Sequence, residues 1–508
     1  MLPNRARLVL VLIACMVHRT ASGSWSSTAH GHLIVPARAD EQRWTGDINV
    51  QPGVVLGFNI TLRKDTDGSW AGIMDIPQQN AANLALRDVT IDGNRMVFTM
   101  APPGAPEMAW ARFDVTTDGD AAHGKMSQAG GVFVVSMKRL GAGERGAVKP
   151  VRPQTPKPPF PYTDRQVSYS NPADGTLLAA TLTIPAGAGP HPAVVMITGS
   201  GAQDRDESLL GHQPFLIIAD HLARNGIAVL RADDRGVGGS TGSVSDSTTE
   251  DFARDALAGV SFLGGQPEID ARRIGFVGHS EGGLVGPLAA SMEPGKVAFV
   301  VMLAGPGVPG SAILPVQVEL IARAEGASPE SARAQAAATA EAVELVLSGA
   351  SADQIKAKVR AMAESEIAEG LARGGAQADQ ARAAQSGLDQ LVEAQSKEFT
   401  GKWFRYFLKY DPRLALRAIE CPVLAVNGSS DLQVPSKQNL PEIEAALKSR
   451  PGGLTARDRV SELPNLNHLF QTCDSGSPSK YAVIEETFSP VALDFVTTWI
   501  RTTAGLEK

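Results

Sequence analysis

Short runs of alternating apolar and polar residues fill the chain from about residue 44 to residue 140. Alternation of this kind is typical of strands that bury one face, because successive side chains of a strand point to opposite sides. Asp-Gly pairs at residues 67–68, 92–93 and 118–119 separate the runs and suit tight hairpin turns. The pattern predicts an antiparallel β-meander or small barrel over residues 24–145. We expect its tryptophans to lie in the core rather than on a ligand surface: Trp44, Trp70 and Trp110.

Prolines are concentrated between residues 150 and 161, where six of them stand among basic residues. Proline lacks a backbone N–H and fixes φ, so such a segment forms neither a helix nor a central strand. We therefore expect a semi-rigid spacer over residues 146–163 that marks a domain boundary.

Beyond this linker the apolar runs become continuous instead of alternating. Continuous apolar runs are typical of strands that are buried on both faces. The runs occupy residues 193–197, 227–231, 274–277, 297–303 and 422–426, with a hairpin expected before them over residues 167–184. Helical stretches separate the runs, and alternating strands and helices predict a doubly wound, mostly parallel α/β sheet over residues 164–508.

A long Ala-, Glu- and Gln-rich segment at residues 311–409 interrupts this alternation. It contains two helix-start signals: Ser328 directly before Pro329, and Ser351 three residues before Gln354. The segment predicts a helical cap that covers one end of the sheet.

Composition narrows the class of protein further. The chain has 508 residues, of which 43% are hydrophobic and 20% charged, so it can build packed cores and is not disordered or coiled coil as a whole. The net charge of −7 disfavours nucleic acid as a partner, because phosphate binding needs a basic surface. Only the extreme N-terminus approaches the ~20 apolar residues of a membrane span. Nothing in the sequence indicates the oligomeric state.

The N-terminus has the features of an export signal. Basic residues precede an apolar stretch at residues 8–17, and small residues follow at 21–23. We expect residues 1–23 to be removed and the protein to be periplasmic or secreted. Residues 12–15 also match a bacterial lipobox, so acylation of Cys15 is one alternative and a cytoplasmic protein with an apolar start is another.

Two cysteines, Cys421 and Cys473, remain if the leader is removed. They are too few for a disulfide framework in a chain of this length. We expect no bond between them, because Cys421 begins a strand and Cys473 follows a loop at the opposite end of the sheet, roughly 23 Å away.

Candidate chemistry is concentrated at Gly278-His279-Ser280-Glu281-Gly282, which follows an apolar strand and opens a helical stretch. A serine at a sharp strand-to-helix turn has strained dihedral angles, and the glycines let the chain pass closely. The turn exposes the hydroxyl above the sheet edge, which predicts Ser280 as a nucleophile. His279 is expected to point elsewhere.

A serine nucleophile needs a general base that an acid orients. His468 is the one histidine after Ser280, so it is the candidate base. Asp431 follows the apolar run that ends at residue 426 and is the preferred acid. The weaker candidates for the acid are Asp411, Asp458 and Asp474.

An oxyanion hole commonly uses two backbone N–H groups. We expect one from Glu281, the residue after the nucleophile. The other is expected from Ser200 or Gly201, in the loop after the run at residues 193–197. An alternative is that the glycines of this loop merely turn the chain.

Several motifs carry a resemblance to a known family. They are Thr198 to Asp206, Asp233 to Ser240, the Ser280 turn, Gly428 to Asp431 with Val434-Pro435, and Asn467-His468. With them, residues 164–505 resemble the α/β-hydrolase superfamily, and within it the bacterial esterases and the dienelactone-hydrolase-like or S33/S9-like serine hydrolases. Thr198 departs from the His-Gly pattern common before the oxyanion loop. The resemblance implies a serine hydrolase and leaves the bond that it cleaves open; no metal or organic cofactor is implied.

Two further groups of residues have two interpretations each. Arg205, Asp206 and Arg235 form a buried network that ties loops together, or bind an anionic substrate. An aromatic cluster stands out in a chain that is only 5% aromatic: Trp403, Phe404, Tyr406 and Phe407. Of these, Trp403, Phe404 and Phe407 are candidates for an acyl pocket, or they pack the cap on the core.

Together these features predict an exported serine hydrolase that cleaves small carboxylic esters, with a preference for short acyl groups. The alternatives are a serine peptidase or amidase with the same triad, and a binding protein with an inactive hydrolase domain.

Overall fold

The computed structural model describes residues 41–506 except 52–53, 80, 102–109, 129–130, 142, 149–150, 374–384 and 386–387. The predicted leader at residues 1–23, with Cys15, lies outside the described residues. The described chain divides into two compact units, the first with the N-terminal strands and the second with a large sheet. No helix within the described ranges is long and apolar enough to cross a membrane.

The N-terminal strands form a closed antiparallel barrel in simple sequential order. Its strands are β1 Glu41–Gln51, β2 Val54–Lys64, β3 Trp70–Ile76, β4 Ala81–Asp92, β5 Arg95–Met100, β6 Ala111–Asp118, β7 Ala121–Gln128 and β8 Gly131–Arg139. Pairing of β1 with β8, from Trp44 opposite Arg139 onward, closes the barrel. Side chains fill its interior, since Phe58, Phe98 and Phe113 are all fully buried.

The predicted tryptophan positions are largely confirmed in this barrel. Trp44 is only 2% exposed and belongs to the core, and Trp70 packs half-buried against it. Trp110 is also half-buried, and the guanidinium of Arg87 lies 5.0 Å from its ring centroid.

The second unit contains an eight-stranded sheet in the order β16-β15-β14-β13-β11-β12-β10-β9. Its strands are β9 Tyr162–Ser170, β10 Leu177–Pro185, β11 His191–Ile197, β12 Ala228–Ala232, β13 Ile269–His279, β14 Val300–Leu303, β15 Val423–Gly428 and β16 Arg459–Leu463. Strand β10 of the β9–β10 hairpin pairs antiparallel to β12, and the six strands β11 to β16 run parallel. The predicted mostly parallel α/β sheet is therefore confirmed.

Helices cover both faces of this sheet. Before the helical insertion they are α1 Pro214–Arg224, α2 Thr249–Gly264 and α3 Glu281–Met292. The insertion contains five helices, numbered α4 to α8 and given in the next paragraph. After it come α9 Pro412–Ala418, α10 Ser436–Lys448 and α11 Pro490–Thr503. Apolar residues of α2, α3, α9 and α10 form the core on one face, and those of α1 and α11 form the core on the other. Such double covering explains why the strands carry continuous apolar runs.

A helical insertion separates β14 from β15, as predicted. It contains α4 Gly310–Ala324, α5 Pro329–Leu347, α6 Ala352–Arg373, α7 Leu388–Phe399 and α8 Lys402–Lys409. Both start signals are present: Ser328 Oγ accepts from the amide of Ser331 at 3.2 Å, and the Ser351 and Gln354 side chains bond each other's backbone amides.

The proline-rich linker differs from the predicted semi-rigid spacer, because its middle is docked on the second unit. The Arg152 guanidinium, 8% exposed, donates to the carbonyl oxygens of Leu210, Ala482 and Ile484 at 2.8 to 3.0 Å. Gln154 exchanges hydrogen bonds with the backbone of residues 487–488. These partners lie far along the chain, so the proline content alone does not reveal the docking.

The two described cysteines, Cys421 and Cys473, are both free. Burial raises the pKa of the Cys421 thiol to about 12, so this thiol is not a nucleophile at neutral pH.

Candidate active site

The carboxyl end of β13 leads into α3 through a sharp turn at Ser280. Ser280 has φ 54° and ψ −119°, a left-handed conformation that is strained for a residue with a side chain. Its amide donates to the Leu303 carbonyl oxygen at 2.8 Å, which fixes the turn against β14. The serine stands at the N-terminus of α3, where the helix dipole favours developing negative charge.

The glycines around Ser280 are required by close backbone contacts. A Cβ on Gly278 would lie 2.0 Å from the carbonyl oxygen of Gly282. A Cβ on Gly282 would lie 2.1 Å from the carbonyl oxygen of Ile197, in β11. The turn therefore depends on bare backbone on both sides of the serine.

A buried histidine–carboxylate pair lies at the same edge of the sheet. His468 follows β16 and Asp431 follows β15; they are 5% and 3% exposed, and His468 Nδ1 lies 2.9 Å from Asp431 Oδ2. The other carboxylate oxygen, Oδ1, accepts from the amides of Gln433 and Val434 at 2.8 and 2.9 Å. These two amides fix the carboxylate so that Oδ2 faces the imidazole.

The other candidate acids have structural partners or lie exposed. Asp458 forms a buried ion pair with Arg450, and Asp411 caps α9 while pairing with Arg413. Asp474 is exposed. Of the four candidates, Asp431 is the one placed against the His468 ring.

The Ser280 turn and the histidine loop meet through His279. Its Nε2 lies 2.9 Å from the backbone oxygen of His468, so the residue before Ser280 contacts the loop that carries His468. Among the described residues, the Ser280 hydroxyl makes no hydrogen bond to the His468 ring. Such catalytic hydrogen bonds are often long in unliganded enzymes and tighten with substrate.

The predicted oxyanion loop follows β11, and hydrogen bonds to two carboxylates from other loops, Asp234 and Glu207, hold its first residues. The Thr198 hydroxyl donates to Asp234 at 2.7 Å; burial raises the pKa of this carboxyl well above its ordinary value. The Gly199 amide donates to Glu207 at 2.8 Å. Because that amide is engaged, Ser200 and Gly201 remain the candidate donors of this loop.

The Glu281 side chain joins three parts of the site. This carboxylate is 2% exposed and accepts from the hydroxyls of Ser200 and Thr249, both at 2.8 Å, and from the Trp403 indole N–H at 2.8 and 3.1 Å. Sequence reasoning assigned Glu281 a role only through its backbone amide. The sequence did carry a signal for this role. Glu281 is an acidic residue in a tight turn of small residues that is expected to be buried, and a buried carboxylate needs hydrogen-bond donors around it.

The aromatic cluster belongs to α8, and three of its rings are buried within the second unit. Trp403, Phe404 and Phe407 are 7%, 2% and 9% exposed. The rings of Trp403 and Phe407 stack with centroids 5.5 Å apart, and the indole N–H reaches Glu281. The burial and stacking support the interpretation as packing, and the Trp403 ring lies beside Glu281, the residue after Ser280. The role as an acyl pocket stays a prediction.

Replacing Trp403 by phenylalanine is expected to weaken the site without removing the ring. The Glu281 carboxylate loses one donor while buried, and a hydrogen bond to a charged group is worth about 1.5–3 kcal/mol. We expect kcat/KM for an ester to fall by about tenfold and the melting temperature to drop. The barrel variant Trp70→Phe is the matched control and should leave kcat/KM unchanged. An unaltered kcat/KM in Trp403→Phe would show that the indole N–H does not support the site.

The predicted charged network is present and its guanidinium groups are paired. Arg205 bonds Asp233 through Nε and a terminal nitrogen at 3.0 and 2.6 Å, and Arg235 bonds Asp255 at 2.6 and 2.8 Å. Asp206 pairs with Arg231. These contacts support the interpretation as a network that ties loops together.

A cavity of about 50 Å³ is lined by residues of the predicted oxyanion loop and its neighbours, among them Gly199, Gly201, Asp234 and Glu281. This volume suits ordered water rather than an acyl chain.

Comparisons with known proteins place this chain among hydrolases. Residues 174–450 match the profile of the family described as X-Pro dipeptidyl-peptidase (S15 family). This range includes Ser280 and Asp431 and ends before His468. Esterase EstD of Thermotoga maritima (strain ATCC 43589 / DSM 3109 / JCM 10099 / NBRC 100826 / MSB8) is 34% identical over 144 residues, which are 28% of this chain and 34% of that protein. The match thus spans about a third of the length of this curated relative.

Solved structures similar to this chain include two hydrolases. The α/β hydrolase GrgF from Penicillium sp. sh18 has 16% identity and a TM-score of 0.41, with 68% of this chain and 99% of that chain covered. The Pyrococcus furiosus esterase Pf2001 has 16% identity and a TM-score of 0.39, with 68% and 94% covered.

Proposed function

This chain belongs to the X-Pro dipeptidyl-peptidase (S15) family, and from that premise we propose that it is a serine hydrolase that cleaves carboxylic esters. The observation that carries the proposal is the buried His468–Asp431 pair at 2.9 Å, placed at the sheet edge where the strained turn presents Ser280. A nucleophile, a base and an acid that orients the base are the groups that acyl transfer needs.

The proposed reaction has two steps. Ser280 Oγ attacks the ester carbonyl carbon while His468 Nε2 takes the hydroxyl proton, and the backbone amides of Glu281 and of Ser200 or Gly201 hold the oxyanion. The tetrahedral intermediate collapses, its C–O bond to the alcohol breaks, and His468 returns the proton to the departing alcohol. Water then attacks the acyl-enzyme with His468 again as the base, which releases the acid and restores Ser280.

We propose short acyl groups as the preferred substrates. The Trp403 indole nitrogen lies 2.8 Å from the side chain of Glu281, the residue that follows the nucleophile, and Phe407 stacks on the indole ring. An acyl chain that lies on this side of the turn would meet these two rings, which would restrict its length.

A peptidase that cleaves after an X-Pro dipeptide is the second candidate, and the family profile over residues 174–450 is the observation that favours it. The same triad can attack an amide, so the machinery does not separate the two activities. An inactive binding protein is the third alternative.

A substrate panel separates these possibilities. We expect p-nitrophenyl acetate and butyrate to be hydrolysed with kcat/KM at least tenfold above p-nitrophenyl palmitate and above an X-Pro p-nitroanilide. Faster cleavage of the X-Pro anilide would establish the peptidase instead. Failure of every substrate, in a protein with an intact melting transition, would favour the binding protein.

A further inference from the structure

A second histidine–carboxylate pair lies next to the proposed triad and is not used by its chemistry. His279 Nδ1 lies 2.9 Å from Glu207 Oε1, and both side chains are only 8% exposed. The other ring nitrogen, Nε2, lies 2.9 Å from the backbone oxygen of His468. His279 therefore stands between a buried carboxylate and the loop that carries the proposed base.

The carboxylate of this pair also holds the oxyanion loop. Glu207 Oε1, the same oxygen that faces His279, accepts the Gly199 amide at 2.8 Å. One chain of hydrogen bonds thus runs from Gly199 through Glu207 and His279 to the backbone of His468. It connects the loops that follow β11 and β16 to the residue preceding Ser280.

The chemistry of the partners determines how many protons the pair holds. A backbone carbonyl oxygen only accepts, so His279 Nε2 must carry a proton toward His468. Nδ1 faces a carboxylate oxygen, and these two atoms bond only if one proton lies between them. If that proton is lost, a nitrogen lone pair faces a carboxylate oxygen inside the protein, and the contact becomes repulsive.

We propose that Glu207 and His279 are positioning residues, and that the proton held between them keeps the oxyanion loop and the His468 loop in register with Ser280. This inference rests on the proposed serine hydrolase function. His279, before the proposed nucleophile, would then connect the oxyanion loop to the His468 loop, whereas Glu281, after it, connects the oxyanion loop to α8.

The charges around His279 favour retention of this proton. The titratable groups that face it are Glu207, the His468 ring, whose centroid lies 4.9 Å away, and Asp431. Burial alone would lower the pKa of His279, but the Glu207 carboxylate, the His468 carbonyl and the Asp431 charge raise it above its ordinary value. Because the proton is lost as pH rises through this raised pKa, the pair predicts an alkaline limb in the pH dependence of kcat.

Replacing Glu207 by glutamine tests the role of the proton. The glutamine oxygen can accept from Gly199 and His279 together only while His279 is an imidazolium, which then lacks its counter-charge. The glutamine nitrogen in the same place would face the Gly199 N–H. We therefore expect Glu207→Gln to lower kcat at neutral pH by about tenfold with KM changed less than about twofold. Its alkaline limb should move to lower pH by about one unit or more.

The controls separate this inference from the proposed function. Glu293→Gln, an exposed glutamate paired with Lys296 near the end of α3, should retain the wild-type pH profile. Wild-type ester hydrolysis and labelling by a fluorophosphonate report on the proposed function itself. If the wild type is active and Glu207→Gln has the same kcat and alkaline limb, the positioning role is wrong while the serine hydrolase stands.

A measurement on the wild type decides the matter even if Glu207→Gln does not fold. ¹³C NMR of the histidine Cε1 atoms, assigned by the signal lost in His279→Gln, follows the protonation of His279 directly. We expect His279 to stay protonated through neutral pH and to lose its proton together with kcat at the alkaline limb. A His279 that is deprotonated at neutral pH in a fully active enzyme would overturn the inference.

Discussion

Replacing Ser280 by alanine is expected to abolish ester hydrolysis, with kcat reduced by about five to six orders of magnitude. The loss is this large because no other group replaces the attacking oxygen, and the remaining oxyanion donors and binding contacts give only a small residual rate. The measurement is hydrolysis of p-nitrophenyl acetate, corrected for the rate without enzyme.

The fold should persist in Ser280→Ala, since the serine amide rather than its side chain fixes the turn, by donating to Leu303. Ser291→Ala, near the other end of α3, is the matched control and should keep full activity. Turnover by Ser280→Ala within tenfold of the wild type would mean that another residue is the nucleophile.

Replacing Asp431 by asparagine is expected to reduce kcat by about 10⁴-fold. The loss of activity follows from the orientation that the asparagine side chain must adopt. The backbone amides of Gln433 and Val434 donate to Asp431 Oδ1. In the variant they select the amide oxygen for that place, so the amide nitrogen replaces Oδ2 and donates to His468 Nδ1. The proton of the neutral imidazole must then sit on Nε2, where it prevents His468 from accepting the proton of Ser280.

Asp474→Asn is the matched control, because Asp474 is an exposed carboxylate in the same region and was the alternative acid nearest to His468 in the sequence. It should leave kcat unchanged. A large loss in Asp474→Asn together with near-normal turnover in Asp431→Asn would reverse the assignment of the acid.

The parts of the fold that were predictable from the sequence are those that a local pattern of apolar and polar residues determines. Continuous apolar runs identified the parallel strands β11 to β15, because helices cover both faces of the sheet. Closure of the barrel was only one of two possibilities, since it depends on pairing between β1 and β8, whose residues Trp44 and Arg139 are distant in sequence. A local pattern carries no information on that pairing.

The contacts of the proline-rich linker were also not predictable, because they are made with residues that are distant in the sequence. Its composition excluded a helix and a central strand, and the edge strand β9 begins only at Tyr162, yet the composition also suggested a spacer. The docking of Arg152 depends on carbonyl groups at residues 482 and 484, which no local feature of the linker indicates.

The proposed triad was accessible to sequence reasoning because each member follows a recognisable strand. Ser280, Asp431 and His468 stand after β13, β15 and β16, and the carboxyl ends of parallel strands meet at one edge of the sheet. The supporting side chains were not found in this way. Glu281 bonds Trp403 and Glu207 bonds His279 across long separations in sequence, so no local pattern shows either contact, and Glu207 lies outside every motif named above.

These supporting contacts give each glutamate a separate task. Glu281 connects the loop after β11 to α8, whereas Glu207 connects the same loop to His279, which contacts the His468 backbone. Trp403→Phe and Glu207→Gln therefore test different contacts of one site. Only Glu207→Gln is expected to shift the alkaline limb.

The proposed mechanism requires Ser280 to form a covalent acyl-enzyme, and a phosphonylating reagent that traps the nucleophile identifies that residue. The protein is incubated with a fluorophosphonate until hydrolysis of p-nitrophenyl acetate stops, and the modified peptide is sequenced by mass spectrometry. We predict one adduct per chain, on Ser280, with activity lost in proportion to its formation. An adduct on another residue, or full activity after Ser280 has been modified, would show that Ser280 is not the nucleophile.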